Sequence, residues 1–146
     1  MIKKTYIIAE AGVNHNGSVE TAKKLISEAK RIGADAIKFQ TFKAEELILQ
    51  ETEKAKYQRN KTNESQFSML KRLELTQKDF KELMEFSRER NIEFLSSAFD
   101  MQSLEFLVSL NLPRYKLPSG EITTKPFLKK LGGLNKPLIM STGMCS

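Results

Sequence analysis

The order in which two kinds of segment alternate along the chain constrains its fold more than any other feature. Short apolar runs of strand length are separated by longer amphipathic segments, and this alternation is typical of βαβ units with a parallel sheet. We therefore predict an α/β fold. The five predicted strands are Thr5–Ala9, Asp35–Thr41, Ile92–Ser96, Arg114–Leu117 and Pro137–Met140.

Capping residues mark where the helices between these strands begin. Ser18 can cap a helix whose apolar residues recur on one face, and Gly33 is placed to end that helix in a left-handed conformation. Thr76, followed three residues later by Asp79, predicts a capping box at the start of another helix. Two later helices are predicted over about Met101–Leu110 and Pro126–Leu131.

The connection between the second and third strands is long and polar. It runs from Phe42 to Leu75 and has only a short apolar patch around Phe67, Met69 and Leu70. A connection of this size inside a compact domain is usually functional or mobile.

The chain stops at its fifth strand, without a helix to cover that strand's outer face. A parallel sheet rarely ends in this way, and a barrel of eight βα units needs about 250 residues. At 146 residues, we expect the sequence to be the front part of a larger domain.

Composition excludes several classes of function. No apolar run approaches the roughly 20 residues of a membrane span, so we predict no membrane partner. The net charge of +6 comes from lysines spread among acidic residues, which predicts no nucleic-acid partner but is compatible with a small anionic substrate. The single cysteine, Cys145, excludes an internal disulfide framework and fits a cytoplasmic location.

Hydrophilic side chains interrupt or follow each of the five apolar runs. Because a parallel barrel gathers the carboxyl ends of its strands around one mouth, these side chains are expected to converge on one pocket. They belong to Glu10, Lys38, Gln40, Ser96, Ser97, Lys116, Ser119, Ser141 and Thr142.

Two lysines, Lys38 and Lys116, lie within otherwise apolar strands, where an ammonium group is costly to bury without an anionic partner. They make a candidate cradle for a phosphate and a carboxylate. Alternatively, both amines reach solvent or pair with Glu10 and Glu121 as structural bridges. The hydroxyls that would complete the cradle belong to Ser97, Ser119 and Ser141.

Glu10 and Glu121 are the candidate catalytic carboxylates, although a glutamate at a strand end can equally be a helix cap or an ion-pair partner. His15 is the only histidine and cannot form a metal site alone, so a role in ordering its turn is favoured. Cys145 has no histidine beside it to activate it and is predicted to be inert.

Five motifs occur in order along essentially the whole chain. They are IAEAGVNHNG at Ile8–Gly17, IKFQT at Ile37–Thr41, FLSSAF at Phe94–Phe99, YKLPSGE at Tyr115–Glu121 and LIMSTGM at Leu138–Met144. Together they resemble the N-acetylneuraminate synthase family, which includes pseudaminic acid, legionaminic acid and spore-coat polysaccharide synthases. The family usually has Ser-Thr-Pro-Phe where this chain has Ser96-Ser-Ala-Phe99, so the loop there is expected to differ.

The resemblance implies a (β/α)₈ TIM barrel, of which this chain covers about strands one to five. Residues 1–146 would then be the N-terminal part of the synthase domain, with a C-terminal antifreeze-like domain absent. The implied reaction condenses phosphoenolpyruvate with an N-acetylated amino sugar resembling N-acetylmannosamine, giving a sialic-acid-type nonulosonic acid and phosphate. The fragment alone is expected to be inactive.

The resemblance also implies roles for particular residues and partners. Glu10 and Glu121 would be catalytic, and a divalent metal, Mn²⁺ or Mg²⁺, would be held by ligands outside this chain. Full-length members of the family are expected to be homodimers. The phosphoenolpyruvate ligands would be Lys38, Lys116, Ser97, Ser119 and Ser141, with Gln40, Asn60 and Asn63 as further candidate substrate contacts.

Two other functions stay open at this point. One is a second kind of phosphoenolpyruvate aldol-type synthase that acts on a sugar phosphate, which would need an additional compact basic cluster that the sequence lacks. The other is a half-barrel that binds phosphate or sugar without catalysis.

Overall fold

The structure is a computed structural model that describes residues 5–48 and 65–145. Strands and helices alternate through these residues, and a 3₁₀ turn at Ser119–Glu121 follows the fourth strand. The strands are β1 (Ile8–Gly12), β2 (Ala36–Thr41), β3 (Glu93–Ala98), β4 (Tyr115–Leu117) and β5 (Leu138–Met140). The helices are α1 (Val19–Arg31), α2 (Ala44–Leu47), α3 (Gln66–Leu73), α4 (Gln77–Glu89), α5 (Met101–Ser109) and α6 (Lys125–Gly132).

The five strands form one parallel sheet in the order β1-β2-β3-β4-β5. Every strand therefore pairs with the next one along the chain, after a crossover that contains at least one helix. This order confirms the α/β prediction and is the one expected for part of a TIM barrel.

Helices cover one face of the sheet. Ile37 and Phe39 of β2, Phe94 of β3 and Leu117 of β4 are buried in a core that also takes residues from α1, α4, α5 and α6. Phe39 and Phe94 stack with their ring centroids 5.7 Å apart. Because side chains alternate along a strand, residues between these positions project from the opposite face.

The predicted start and end of β1 were wrong by three residues. Ile7 lies outside the strand and is half exposed, although its backbone N–H donates to the carboxylate of Asp35 at 2.8 Å. The strand instead continues through Glu10 to Gly12, where the pairing with β2 shifts in a bulge. A charged residue fits inside this strand because it projects from the face that the helices leave open.

The predicted helix starts are confirmed. Ser18 Oγ accepts from the backbone N–H of Thr21 at the start of α1. Thr76 and Asp79 form the capping box of α4, with each side chain accepting from the other's backbone N–H. Gly33 follows α1 with φ of +84°, as its predicted left-handed conformation requires.

Two helices in the long polar connection were not predicted. The four residues of α2 follow β2 directly, and α3 precedes α4. No residue of α3 is buried, although Phe67, Leu70 and Leu73 recur at helical spacing and could have indicated it.

In the ranges 5–48 and 65–145, no helix is both long and apolar enough to cross a lipid bilayer.

Candidate functional site

The strand register brings polar side chains together on the face of the sheet opposite the helices. Glu10 pairs with Lys38 between β1 and β2, and Gln40 pairs with Ser97 between β2 and β3. Ser97 in turn pairs with Lys116 of β4. Paired residues project to the same side of a sheet, as do residues two apart in a strand. Lys38 and Lys116 therefore share one face.

Lys38 forms an ion pair with Glu10. Its Nζ lies 2.6 Å from Glu10 Oε2, and the exposed fractions of the two side chains are 14% and 51%. The lysine is thus mostly withdrawn from water while its partner reaches toward it. The alternative that the lysines form structural ion pairs with Glu10 and Glu121 is therefore correct for Lys38 and Glu10.

Lys116 has no carboxylate partner in the described part of the chain. Its Nζ donates to the backbone carbonyl of Leu117 and to Ser141 Oγ, each at 2.6 Å. Burial lowers the pKa of Lys116, the charge of Lys38 lowers it further, and Glu10 partly opposes both effects. The two amines are therefore close enough to repel each other, and an anion bound between them would relieve that repulsion.

Ser97 contributes a buried hydroxyl that has no partner. Its side chain is only 1% exposed, and its Oγ makes no hydrogen bond within the described residues. A buried polar atom without a partner costs free energy and is uncommon. Because Ser97 lies beside Lys116 in the register, this hydroxyl is available to a ligand that contacts the lysines.

The bulge in β1 makes room for the polar side chains around it. Gly12 has φ of +53°, a region that a residue with a side chain rarely adopts. A Cβ at Gly12 would lie 3.2 Å from Glu10 Oε1 and 3.6 Å from Gln40 Nε2. The structure therefore places Gly12 against the candidate site.

Other predicted site residues lie further along the chain from this cluster or outside the described residues. Ser119 and Glu121 lie on the 3₁₀ turn after Pro118. Ser119 lines an open cavity of about 550 Å³ between the turns that follow β4 and β5. In the described part of the chain Glu121 forms no ion pair with Lys116, so the second predicted bridge is absent there. Asn60 and Asn63 lie outside the described residues.

His15 orders the turn between β1 and α1, as its sequence position suggested. It is 1% exposed, and its Nδ1 accepts from the backbone N–H of Gly17 at 3.1 Å. Burial lowers its pKa, which favours the neutral ring. Its ring lies 6.1 Å from that of Phe39, a core residue on the helix side of the sheet.

Asp100, which the sequence did not single out, connects the segments that follow β2 and β3. It caps α5 by accepting from the backbone N–H of Ser103 at 2.7 Å, and it also accepts from the backbone N–H of Lys43 at 2.8 Å. Both strands that carry Lys38, Gln40 and Ser97 are therefore held together just beyond their carboxyl ends. An Asp three residues before Ser103 was a capping signal, but the contact with Lys43 could not be predicted from spacing.

The residues described do not form a metal site. Within the ranges 5–48 and 65–145, no three His, Cys, Asp or Glu side chains lie close enough together to bind a metal ion. Glu10, the carboxylate in the cluster, is already paired with Lys38. The resemblance implies an Mn²⁺ or Mg²⁺ ion whose ligands lie outside this chain, and that implication stays a prediction.

Comparison with known proteins places the motifs and the fold in one family. Residues 25–146 match the model of the NeuB family. The chain is 54% identical over 142 residues to the N,N'-diacetyllegionaminic acid synthase of Legionella pneumophila, covering 96% of this chain and 40% of the relative. It is 52% identical to the enzyme of the same name from Campylobacter jejuni, covering 99% of this chain and 44% of that relative.

A solved structure shares the fold. The N-acetylneuraminic acid synthetase of Leptospira borgpetersenii, crystallised in complex with citrate, superposes with a TM-score of 0.80 at 31% identity. The match covers 99% of this chain and 46% of that one. The chain thus spans less than half the length of these relatives.

Proposed function

Since this chain belongs to the NeuB family, we propose that it binds phosphoenolpyruvate for the synthesis of a sialic-acid-type nonulosonic acid. One observation carries the proposal: Lys38 and Lys116 lie on the same face of the sheet, beside the unpartnered hydroxyl of Ser97. Had the amines lain on opposite faces, they could not have served one ligand. The names of the two relatives above 50% identity favour a product of the legionaminic acid type.

In the proposed reaction, C3 of phosphoenolpyruvate forms a bond with the aldehyde carbon of an N-acetylated amino sugar. Water adds at C2, and the C2–O bond breaks to release inorganic phosphate. Phosphoenolpyruvate carries its charge on a phosphate and a carboxylate, and lysine amines bind such groups through charge-assisted hydrogen bonds. Lys38 and Lys116 would balance these charges and hold the ligand at the carboxyl ends of the strands.

Hydroxyl and carboxyl groups would complete the site. The Oγ of Ser97 would donate a hydrogen bond to the anion, and Ser141, which already accepts from Lys116, would fix the direction of that amine. Glu10 and Gln40 flank Gly12 on the same face and would contact the sugar. Ser119 and Glu121 would join the site from the turn after β4.

Binding of phosphoenolpyruvate to the 146-residue chain, measured by isothermal titration calorimetry, tests this proposal. We expect Lys38→Ala and Lys116→Ala each to weaken binding by about tenfold or more, because each removes a charge-assisted contact from a partly buried site. Lys24→Ala is the matched control, since it removes the same charge from an exposed position on α1. Unchanged affinity in both site variants would rule out the proposed role of the lysines.

A further inference from the structure

The charged groups of the candidate site do not balance. Lys38 and Lys116 contribute two positive charges, and Glu10 is the carboxylate that contacts either amine within the described ranges. Lys116 instead has two uncharged acceptors, the Leu117 carbonyl and Ser141 Oγ. The cluster therefore carries one net positive charge, and its one carboxylate, that of Glu10, is paired with Lys38.

Glu10 is free to leave this position. Its side chain is 51% exposed, so its carboxylate can return to water at low cost in desolvation. Gly12, which lies beside Glu10, has no side chain. A Cβ at that position would lie only 3.2 Å from Glu10 Oε1. The bulge at Gly12 thus gives the carboxylate space to move. Lys38, only 14% exposed, has less freedom to follow it.

We infer that Glu10 is an exchangeable counter-ion of Lys38, which an incoming anion must displace and which thereby selects ligands with two or more negative charges. The inference rests on the proposed function, because it assumes that the lysines bind the substrate anion. A monoanion can neutralise Lys116, but it gains little by separating Glu10 from Lys38. A dianion offers both amines a partner and releases Glu10 to solvent.

Displacement of Glu10 from Lys38 by an anion would also free its carboxylate for a second contact. Once its carboxylate leaves Lys38, it lies unpaired next to Gln40 and Gly12, on the face where the proposed sugar would bind. Occupation of the anion site would therefore supply a free hydrogen-bond acceptor for the second substrate. This links the two halves of the pocket through one side chain, without movement of the backbone.

Glu10→Gln tests the inference because it removes the charge and keeps the shape. We expect it to tighten the binding of inorganic phosphate, measured by calorimetry at pH 8 and low salt, by about two- to fivefold, the range for a partly exposed ion pair. Binding of acetate, a monoanion, is expected to tighten by a larger factor, because in the wild type acetate cannot displace Glu10 and gains only the contact with Lys116. The ratio of phosphate to acetate affinity would then fall.

Glu89→Gln is the control, since it removes the same charge at an exposed position at the end of α4. Phosphate affinity that is unchanged or weaker in Glu10→Gln, while wild-type binding still depends on Lys38, would overturn the inference alone. In that case Glu10 holds Lys38 in place and does not compete with the ligand. Failure of the wild-type chain to bind phosphate or phosphoenolpyruvate would instead overturn the proposed function, and the inference with it. Circular dichroism of each variant checks that it is folded.

Discussion

At the scale of single residues, the candidate site combines polar groups that do not stabilise the folded chain. Burial and the charge of Lys38 both lower the pKa of Lys116, and the Ser97 hydroxyl is buried without a partner among the described residues. Neither arrangement stabilises the fold, because both withdraw polar groups from water with incomplete compensation. Such costs are typical of positions that are kept for binding.

Lys116→Met is expected to stabilise the chain at pH 7 by about 1 kcal/mol, since a methionine fills a similar space without a charge to desolvate. The pKa of Lys116 is lowered in the folded state from its ordinary value of 10.5, so the unfolded chain binds more protons between the two values. Stability of the wild type therefore rises with pH across that interval. The advantage of the variant should shrink as the pH approaches 10.5.

Chemical denaturation of both proteins at pH 7 and at pH 10 measures this difference. Lys24→Met, at an exposed position on α1, controls for the change in net charge. A Lys116→Met variant less stable than the wild type at pH 7 would mean that the hydrogen bonds to Leu117 and Ser141 outweigh the cost of burial.

The sequence allowed the residue-level prediction where alternation decides it. Lys38 and Lys116 each interrupt an apolar strand, and that pattern led to the prediction that both belong to one cluster of polar side chains; the structure places both on the same face of the sheet. The pairing of Glu10 with Lys38 was one of the alternatives that the sequence left open, and the pattern could not decide it because the predicted β1 ended before Glu10. The shift came from Gly12, whose positive φ permits a bulge that no apolar pattern encodes.

At the scale of elements, the turn between β1 and α1 packs against the end of α3. A Cβ added at Gly17 would lie 2.3 Å from the carbonyl oxygen of Arg72, which is far inside contact distance. This close approach joins the start of the chain to the long polar connection. It also explains why the turn is ordered by His15 from one side and by α3 from the other.

Gly17→Ala and Gly33→Ala separate packing from backbone strain. Both glycines have positive φ, at +77° and +84°, but a Cβ at Gly33 would meet nothing within 4 Å. We expect Gly33→Ala to cost about 1 kcal/mol from φ alone, and Gly17→Ala about 2 to 4 kcal/mol because a backbone clash is added. Thermal unfolding of the two variants tests this, and equal losses would show that α3 moves aside without penalty.

The sequence predicted where α1 and α4 begin, but it did not lead to a prediction of α3. Ser18 and Thr76 carry local capping signals, which depend on neighbours a few residues away. The α3 helix is held by contacts with α2, including Lys71 Nζ to Glu45 Oε1 at 2.8 Å. Ion pairs between segments 26 residues apart in sequence leave no periodic pattern, so the packing of this helix against α2 could not be predicted.

At the scale of the whole molecule, five strands line one side of the proposed pocket. In the part of the chain that the structure describes, β1 and β5 each pair with a single neighbouring strand. The proposed phosphoenolpyruvate ligands lie on β2, β3 and β4 or just beyond the ends of β4 and β5. The order of the strands was predictable from the alternation of segments, since consecutive parallel strands usually lie side by side.

We expect the 146-residue chain to release no phosphate from phosphoenolpyruvate above the uncatalysed rate when Mn²⁺ is supplied with either N-acetylmannosamine or the diacetylated amino sugar needed for a legionaminic acid product. The physical reason is that its described residues do not form a metal site, although they are expected to bind the anion. A colorimetric phosphate assay measures turnover, with calorimetry on the same preparation to show that phosphoenolpyruvate binds. Metal-dependent release by the chain alone would contradict the proposed division of roles.

Along β2, β3 and β4, residues that face the proposed ligand alternate with residues that pack against the helices. Neighbouring positions are therefore constrained by different requirements, ligand binding at one and folding at the next. Lys38, Gln40 and Ser97 can be varied in a mutant library without altering the helix-packed core, because Ile37, Phe39 and Phe94 project from the other face. Randomising only the codons for Lys38, Gln40, Ser97 and Lys116, and keeping the buried Leu95 on the same face, would therefore search ligand preference with the helix-packed core unchanged. A library of contiguous codons would lose most of its members to misfolding before any binding screen began.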